Sequence, residues 1–211
     1  MTEYRYDSIF SKNYDEKYGQ IDPTHRRYVE RLLSVSPVGC IVLDAACGTG
    51  KYWTMILASG RMVFGIDQSD MMLKLANRKY PEVPTAKLGL QEMHFTDQFF
   101  AAMCVDAMEN ICPEDWPLVL ENFYCALKSG GHIYITVEIA EEREINEAYR
   151  RGIEMGLPVV YGEYVHHGGY HYYPQPVQVK TWLVKAGLHV VEESPGDGYF
   201  HFLAQKYGPK K

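Results

Sequence analysis

The sequence predicts an α/β fold: a doubly wound, mostly parallel sheet with helices on both faces and one antiparallel C-terminal strand. The first observation behind this prediction is that short apolar segments alternate with helix-like segments from about residue 23 to residue 138. Strands that alternate with helices of this length favour a parallel sheet covered on both faces. The second is that the last two predicted strands are joined only through Pro195–Gly198. So short a connection makes them antiparallel to each other, because a parallel return needs a long crossover.

The alternating part of the chain supplies five strands. A helix is expected from Pro23, where Thr24 can cap it and apolar residues recur at helical spacing. The almost unbroken apolar run Cys40–Asp44 predicts a buried strand. The elements expected after it are the helix Lys51–Ser59, the strand Met62–Asp67, the helix Ser69–Lys79, the weak strand Ala86–Leu88, the strand Ala101–Asp106, the helix Pro113–Leu127 and the strand His132–Glu138.

About forty residues separate the fifth strand from the final helix, which is more than an uninterrupted fold needs. Long insertions of this kind are often lids or binding loops. We therefore expect residues 1–211 to form a single domain with a substrate-lid insertion at about 139–177. The elements expected in this part are the helix Glu141–Gly156, the helix Val179–Ala186 capped by Gly187, and the strands Leu188–Glu193 and Tyr199–Gln205.

Composition limits the partners. The chain has 211 residues, 46% of them hydrophobic, and a net charge of −6 without a clustered basic run, so we expect no nucleic acid partner. No apolar run approaches the ~18 residues that a membrane span needs, and the N-terminus lacks the apolar core of a signal peptide. The five cysteines are scattered and form no CxxC pair. These features predict a soluble protein of the reducing cytoplasm and leave its oligomeric state open.

One strand ends in a glycine-rich turn that carries the main functional signal. Residues 42–50 read VLDAACGTG, and ligands of open α/β sheets bind where such a strand meets its turn. Gly48 and Gly50 let the backbone approach a ligand without an intervening Cβ. The backbone around Ala46 and the carboxylate of Asp44 can then meet the amino and carboxylate groups of that ligand.

A second acidic position follows nineteen residues after Gly48. Asp67 ends the next predicted strand, where a carboxylate can accept hydrogen bonds from both hydroxyls of a ribose. It begins a D-x-S-x-x-M pattern that continues through Gln68 and Ser69 to Met72. A polarizable thioether such as Met72 packs well against an aromatic ring.

Together these motifs resemble class I S-adenosylmethionine (SAM)-dependent methyltransferases of the Rossmann-like, small-molecule type. The resemblance covers about Ile41 to Glu138 and includes residues 105–110, similar to the fourth family motif, and residues 127–131, close to the family's L-K-P-G-G turn. It implies SAM as cofactor and S-adenosylhomocysteine as product. The cofactor-binding residues that it implies are Tyr14, Asp44, Ala46, Gly48, Gly50, Asp67, Gln68, Met72, Leu90, Gln91 and Asp106.

The sequence departs from the family pattern at one point. Gly89 stands where an acid usually holds the adenine amino group, so the backbone of Leu90, or Gln91, has to serve instead. Two rival nucleotide motifs fit less well. A dinucleotide site needs a small residue where Trp53 stands, and a phosphate-binding loop needs Ser or Thr where Tyr52 stands.

The stretch from Tyr161 to Pro174 is rich in Tyr and His, which suits a small organic acceptor but also a purely structural cover for the sheet edge. A metal site at His166, His167 and His171 is not expected, because no acid accompanies them and neighbouring rings on an extended segment point apart. If the acceptor needs a general base, the candidates are Glu109, His166 and His171.

The functional prediction is therefore methyl transfer from SAM to a small-molecule acceptor by in-line displacement in a closed site. The alternative is a SAM-binding regulatory or partner protein without methyl-transfer activity of its own, because the cofactor motif is compatible with both.

Overall fold

A seven-stranded sheet forms the centre of the molecule, which the computed structural model describes at residues 6–10, 13–166 and 169–208. In chain order the strands are β1 (Ile41–Ala45), β2 (Met62–Asp67), β3 (Thr85–Lys87), β4 (Phe99–Cys104), β5 (Leu127–Glu138), β6 (Glu163–His166), β7 (Gly169–Tyr172), β8 (Leu188–Gly196) and β9 (Tyr199–Lys206). The central sheet has the order β3-β2-β1-β4-β5-β9-β8, and β6 pairs with β7 in a separate hairpin. Only β9 runs against its neighbours, which confirms the predicted fold.

Helices cover both faces of this sheet. They are α1 (Tyr14–Tyr18), α2 (Pro23–Ser34), α3 (Trp53–Ala58), α4 (Asp70–Lys79), α5 (Trp116–Ala126), α6 (Glu142–Glu154) and α7 (Pro176–Ala186). Apolar residues of α2, α3 and α4 form one core cluster against the sheet, whereas those of α5 and α7 form another. Neighbouring strand residues divide between the two clusters, as Val42 and Leu43 show, because successive side chains point to opposite faces.

Local sequence explains several helix ends. The hydroxyl of Ser69 accepts the Met72 N–H (3.1 Å) and caps α4. Gly187 ends α7 in the left-handed conformation (φ 87°), as predicted. The prediction that Thr24 caps α2 is wrong, because the helix begins at Pro23 and Asp22 holds the cap position. The Thr24 N–H instead donates to Asp197 Oδ2 (2.7 Å) in the β8–β9 turn.

Several predicted boundaries differ from the structure, and three of the differences are larger or have a clear cause. β4 ends at Cys104 rather than Asp106, because Asp106 adopts a left-handed backbone (φ 56°). β5 begins at Leu127, and the predicted Gly130–Gly131 turn becomes an irregularity within its pairing with β4. α7 begins at Pro176 instead of Val179.

The insertion at 139–177 contains α6 and the β6–β7 hairpin. The sequence predicted the helix but not the hairpin. Glu163 pairs with Tyr172 at the base of the hairpin. Tyr172 is fully buried against Trp116 and Trp182, so this base belongs to the core. Across the described parts of the chain, every helix is too short or too polar to cross a membrane.

Candidate functional site

A cavity of about 270 Å³ opens where β1, β2 and β4 end. This is the edge at which open α/β sheets bind ligands. Ten of the eleven predicted cofactor-binding residues lie in its wall, namely Tyr14, Asp44, Ala46, Gly48, Asp67, Gln68, Met72, Leu90, Gln91 and Asp106. The wall also contains ten residues that the sequence reasoning did not select as binding residues: Tyr6, Cys47, Thr49, Lys51, Tyr52, Gly89, Val105, Ala107, Asn110 and Ile111.

Backbone donors fix the carboxylate of Asp67. Its Oδ2 accepts the Gly48 N–H and its Oδ1 accepts the Ser69 N–H, each at 2.8 Å. Burial raises the pKa of Asp67, and these backbone hydrogen bonds act in the opposite direction. The side chain therefore ties the glycine turn after β1 to the start of α4 while it remains in the cavity wall.

Asp44 is held by an indole. The Trp53 Nε1–H donates to Asp44 Oδ2 at 2.7 Å. Burial raises the pKa of Asp44 to about 7, although the hydrogen bond from Trp53 lowers it. A carboxyl group with this pKa can gain or lose a proton near neutral pH when a charged ligand binds.

Gly50 is the one predicted binding residue outside the cavity wall. A Cβ on Gly50 would lie 2.7 Å from the ring of Trp53, and one on Gly65 would lie 2.6 Å from the same ring. The structure therefore gives Gly50 a packing role: it makes room for the indole that holds Asp44. Gly48 differs, since no atom lies within 4 Å of the Cβ position there.

Two non-glycine residues in the wall have left-handed backbones, Ala46 (φ 58°) and Asp106 (φ 56°). Such conformations are costly and concentrate at functional sites. The Asp106 N–H donates to Thr136 Oγ1 at 2.7 Å, and its Oδ1 accepts a hydrogen bond from the Tyr199 hydroxyl. These contacts fix both the backbone and the carboxylate of Asp106.

The N-terminal segment covers one side of the cavity through Tyr6 and Tyr14. Asp7 accepts the Met71 N–H (3.1 Å) and the hydroxyl of Ser69 at the start of α4. Asp15 accepts the hydroxyl of Thr49 and pairs with Lys79 (2.9 Å). Of the residues in this segment, only Tyr14 was selected for the site from the sequence.

In the part of the cavity wall predicted to contact adenine, several polar groups are already hydrogen-bonded within the protein. Met72 is buried in the wall. The carbonyl of Leu90 accepts a hydrogen bond from Asn122 Nδ2 (2.9 Å), and Gln91 Nε2 donates to Asp115 Oδ2 (3.3 Å). The Gly89 N–H donates to Glu92 Oε2 at 3.0 Å.

A second cavity, of about 290 Å³, lies between the end of β5, α6 and the segment that follows β7. Its wall combines apolar residues, among them Ile139, Ile145 and Phe200, with polar ones. Glu138 and Tyr173 are two of these polar residues, and their side chains interact. Burial raises the pKa of Glu138.

The three candidate bases lie in different surroundings. Glu109 is 3% exposed and lines neither cavity; burial and nearby Asp106 raise its pKa well above the ordinary value. A protonated carboxyl cannot accept a proton, which argues against Glu109 as the base.

His171 also lines neither cavity and stacks on Tyr173 (5.9 Å between ring centroids). The backbone of His166 belongs to β6, but its side chain, like His167, lies outside the described residues. Among the described residues, no group of three or more His, Cys, Asp or Glu could hold a metal ion.

Residues 42–131 match a family model described as "Methyltransferase domain". This match supports a relationship of the chain to the class I SAM-dependent methyltransferases. The match covers β1 through the start of β5, the part that contains the glycine turn, Asp67 and Asp106. SAM is the cofactor of this family, as predicted.

The chain is 28% identical over 178 residues to a tRNA U34 carboxymethyltransferase of Vibrio cholerae, a match that covers 78% of this chain and 51% of that protein. It thus spans about half the length of the first curated relatives it matches. A SAM-dependent methyltransferase from Methanosarcina mazei superposes with a TM-score of 0.73 at 15% identity, covering 89% of this chain and 99% of the other. The 1,6-didemethyltoxoflavin-N1-methyltransferase of Burkholderia thailandensis gives 0.64 at 18% identity, over 98% and 91% of the two chains. These two structures show the fold.

Proposed function

We propose that this chain transfers the methyl group of SAM to a small-molecule acceptor by in-line displacement in a closed site. The observation that carries the proposal is the cavity at the carboxyl edge of β1, β2 and β4, where Asp44 and Asp67 are both buried in the wall beside an open glycine turn. When bound, SAM supplies a methyl group on a positively charged sulfur.

The residues of the cavity fit this cofactor. Asp67 offers carboxylate oxygens to a pair of ribose hydroxyls, and Asp44 offers a carboxylate to an amino group. Gly48 leaves its side of the turn open for close backbone approach. Because Asp67 is already fixed by two backbone hydrogen bonds, little freedom is lost when it meets a ligand.

The protein's contribution to transfer is alignment and exclusion of water. Tyr6 and Tyr14 cover the cofactor cavity from the N-terminal side. On the other side, Asp106 lies in the wall at the end of β4, held by Thr136 and Tyr199. We assign to Asp106 the place where acceptor and methyl group meet, since its backbone and its carboxylate are both fixed in the wall of the cofactor cavity.

The second cavity supports an acceptor of small size. Its volume of about 290 Å³ and its mixture of apolar and polar wall residues suit a small organic molecule. Carboxylates lie in the walls of both cavities, and the net charge is −6. Both features disfavour binding of an acceptor that carries many phosphate groups. The Vibrio cholerae relative is named for tRNA, so tRNA belongs among the acceptors to be tested.

The test begins with the cofactor. A ligand at about a hundred times its Kd stabilises a protein by roughly 2.7 kcal/mol, which is some 5–10 °C in Tm for a chain of this size. We expect S-adenosylhomocysteine to produce this shift and NADH to produce none. The reverse result would contradict the assigned site.

Turnover separates the two functional hypotheses. With SAM present, S-adenosylhomocysteine formed against a metabolite panel and against total tRNA would be measured. Product with small molecules supports the proposal, whereas product with tRNA alone contradicts it. If the chain binds S-adenosylhomocysteine but no acceptor yields product, the regulatory alternative replaces methyl transfer.

A further inference from the structure

Acidic and phenolic side chains from the walls of the two cavities interact with one another. We call Asp106, Glu109, Glu138, Tyr173 and Tyr199 the acid–phenol cluster. Asp106 raises the pKa of both Glu109 and Glu138, and all three carboxyl groups raise the pKa of Tyr199. Tyr199 faces Glu138 across the β5–β9 pairing, and its hydroxyl donates to Asp106.

The cluster connects the cavities. Asp106 lies in the wall of the cofactor cavity, whereas Glu138 and Tyr173 lie in the wall of the second. Glu109 interacts electrostatically with Asp106, Glu138, Tyr173 and Tyr199, so its carboxyl group lies at the centre.

Glu109 and its neighbour Asn110 each have an oxygen atom that forms no hydrogen bond among the described residues. Oε1 of Glu109 accepts from Asn110 Nδ2 at 3.0 Å. Its Oε2 is buried without a hydrogen-bond partner among the described residues, and so is Oδ1 of Asn110 in the cofactor cavity wall. A buried polar atom without a partner is costly, about 1–3 kcal/mol, so Oδ1 of Asn110 points to a ligand that brings hydrogen-bond donors, and Oε2 of a protonated Glu109 can donate to such a ligand.

These carboxyl groups lack a paired cationic side chain among the described residues, although Lys51 lies in the wall of the cofactor cavity. None of the ion pairs within the described residues includes Asp106, Glu109 or Glu138. The ring of His25 lies 4.9 Å from that of Tyr199, but burial lowers the pKa of His25 to about 4, so it is neutral at pH 7. A ligand group that carries N–H donors and positive charge fits here, whereas a carboxylate or phosphate would be repelled.

We propose that the methyl acceptor is a primary or secondary amine on an apolar body, with its nitrogen at the acid–phenol cluster and its body in the second cavity. This inference rests on the proposed function and names its substrate class. The apolar residues of the second cavity, among them Ile139, Ile145 and Phe200, receive the body. A phenol fits less well, because its ionisation beside several carboxyl groups is disfavoured.

In the methyl-transfer reaction, one residue of the cluster accepts a proton. The amine nitrogen forms a bond to the methyl carbon, and the carbon–sulfur bond breaks with its electron pair on sulfur. The Glu138 carboxylate, which burial has made a stronger base, first takes one proton from the bound ammonium, and this frees the nitrogen lone pair for the attack. The positive charge of the sulfur ends on the N-methylated nitrogen.

Binding to the protein saturated with S-adenosylhomocysteine tests the substrate class. Isothermal titration would compare benzylamine, phenethylamine and 4-phenylbutylamine with the alcohols and carboxylic acids of the same three bodies. We expect at least one amine to bind ten times more tightly than its alcohol and its acid. With SAM in place of the product, mass spectrometry should find that amine N-methylated.

Two variants test whether the amine binds at Glu138. Glu138→Gln should weaken binding of the preferred amine about tenfold and leave its alcohol unchanged. Glu142→Gln is the matched control, because Glu142 is an exposed acid at the rim of the same cavity. Amines that bind no better than alcohols and acids, or an unchanged amine affinity in Glu138→Gln, would overturn the inference. Failure of S-adenosylhomocysteine itself to bind would instead contradict the proposed function.

Discussion

The two cavities are built in different ways. The cofactor cavity comes mostly from a continuous part of the chain, residues 44–111, and its main anchor is a carboxylate, Asp67, fixed by backbone N–H groups. The second cavity comes from the end of β5, α6, the segment after β7 and Phe200 of β9, and it is formed by side chains. The first arrangement depends on turn geometry and small residues, so short motifs encode it. The second depends on which side chains distant elements bring together.

The two regions also differ in how firmly they are packed. Asp44 and Asp67 lie at the ends of central strands that are buried on both faces. The β6–β7 hairpin stands outside the central sheet and is anchored at its base by Tyr172, whereas Val165 is 70% exposed. Elements with few buried contacts open at low free energy. Changes to the hairpin should therefore alter acceptor chemistry more than cofactor binding.

Shortening the hairpin tests this comparison with the largest expected effect. Residues 164–171 are replaced by Asn-Gly, a sequence that forms the two-residue turn needed between the paired residues Glu163 and Tyr172. We expect turnover to fall at least ~100-fold, because a displaced lid admits water and misaligns the acceptor. Affinity for S-adenosylhomocysteine, measured by titration, should change by less than about threefold.

The shortened hairpin retains Tyr172, which packs against Trp116 in the core. Tyr172→Ala is the contrasting variant. Removing a buried aromatic ring costs about 3–5 kcal/mol, so that variant should show a much lower Tm. If hairpin shortening abolishes cofactor binding as well, or leaves turnover intact, the insertion is a structural cover rather than a lid.

Asp67→Ala tests the cofactor region with a smaller effect. Losing hydrogen bonds to a charged acceptor costs about 1.5–3 kcal/mol, which is roughly ten- to a hundredfold in Kd for S-adenosylhomocysteine. Asp70→Ala is the matched control, because Asp70 is exposed and pairs with Lys87 at 2.8 Å. Its Kd should stay within about twofold of the wild type. Equal affinities in all three proteins would mean that the ribose binds elsewhere, and circular dichroism checks the fold.

The sequence was sufficient for the part of the site that turn chemistry determines. The strand, the glycine turn and Asp67 follow a pattern in which each residue type has a local reason, so ten of eleven predicted residues lie in one wall. Gly50 shows the limit of that reasoning. It belongs to the same motif, but its contact is with the Trp53 ring, which also packs on Gly65.

The remaining contacts join residues far apart in the chain. Tyr199 reaches Asp106 across 93 positions, and Asp7 reaches Ser69 across 62. No local period or spacing marks such pairs, because the topology of the sheet brings them together. The β6–β7 hairpin was missed for a related reason: its strands are four residues each and carry a mixture of polar and aromatic residues.

The smallest expected effect concerns the pH dependence of stability through Asp44. The pKa of this carboxyl is about 7 in the folded protein and 3.8 without its surroundings. Between these values the folded state holds a proton that the unfolded state has released, so stability falls as the pH rises from about 4 to about 7. Inside this window, a rise of one pH unit lowers the free energy of unfolding by at most about 1.4 kcal/mol, which lowers Tm by roughly 3–6 °C.

Asp44→Asn keeps an oxygen for the Trp53 indole but cannot titrate, so its Tm should fall less between pH 5 and pH 7.5 than that of the wild type. Asp70→Asn, which changes an exposed carboxylate, should retain the wild-type slope. Parallel Tm profiles for Asp44→Asn and the wild type would show that Asp44 is already ionised in the folded protein, and that burial does not set its charge before the cofactor binds.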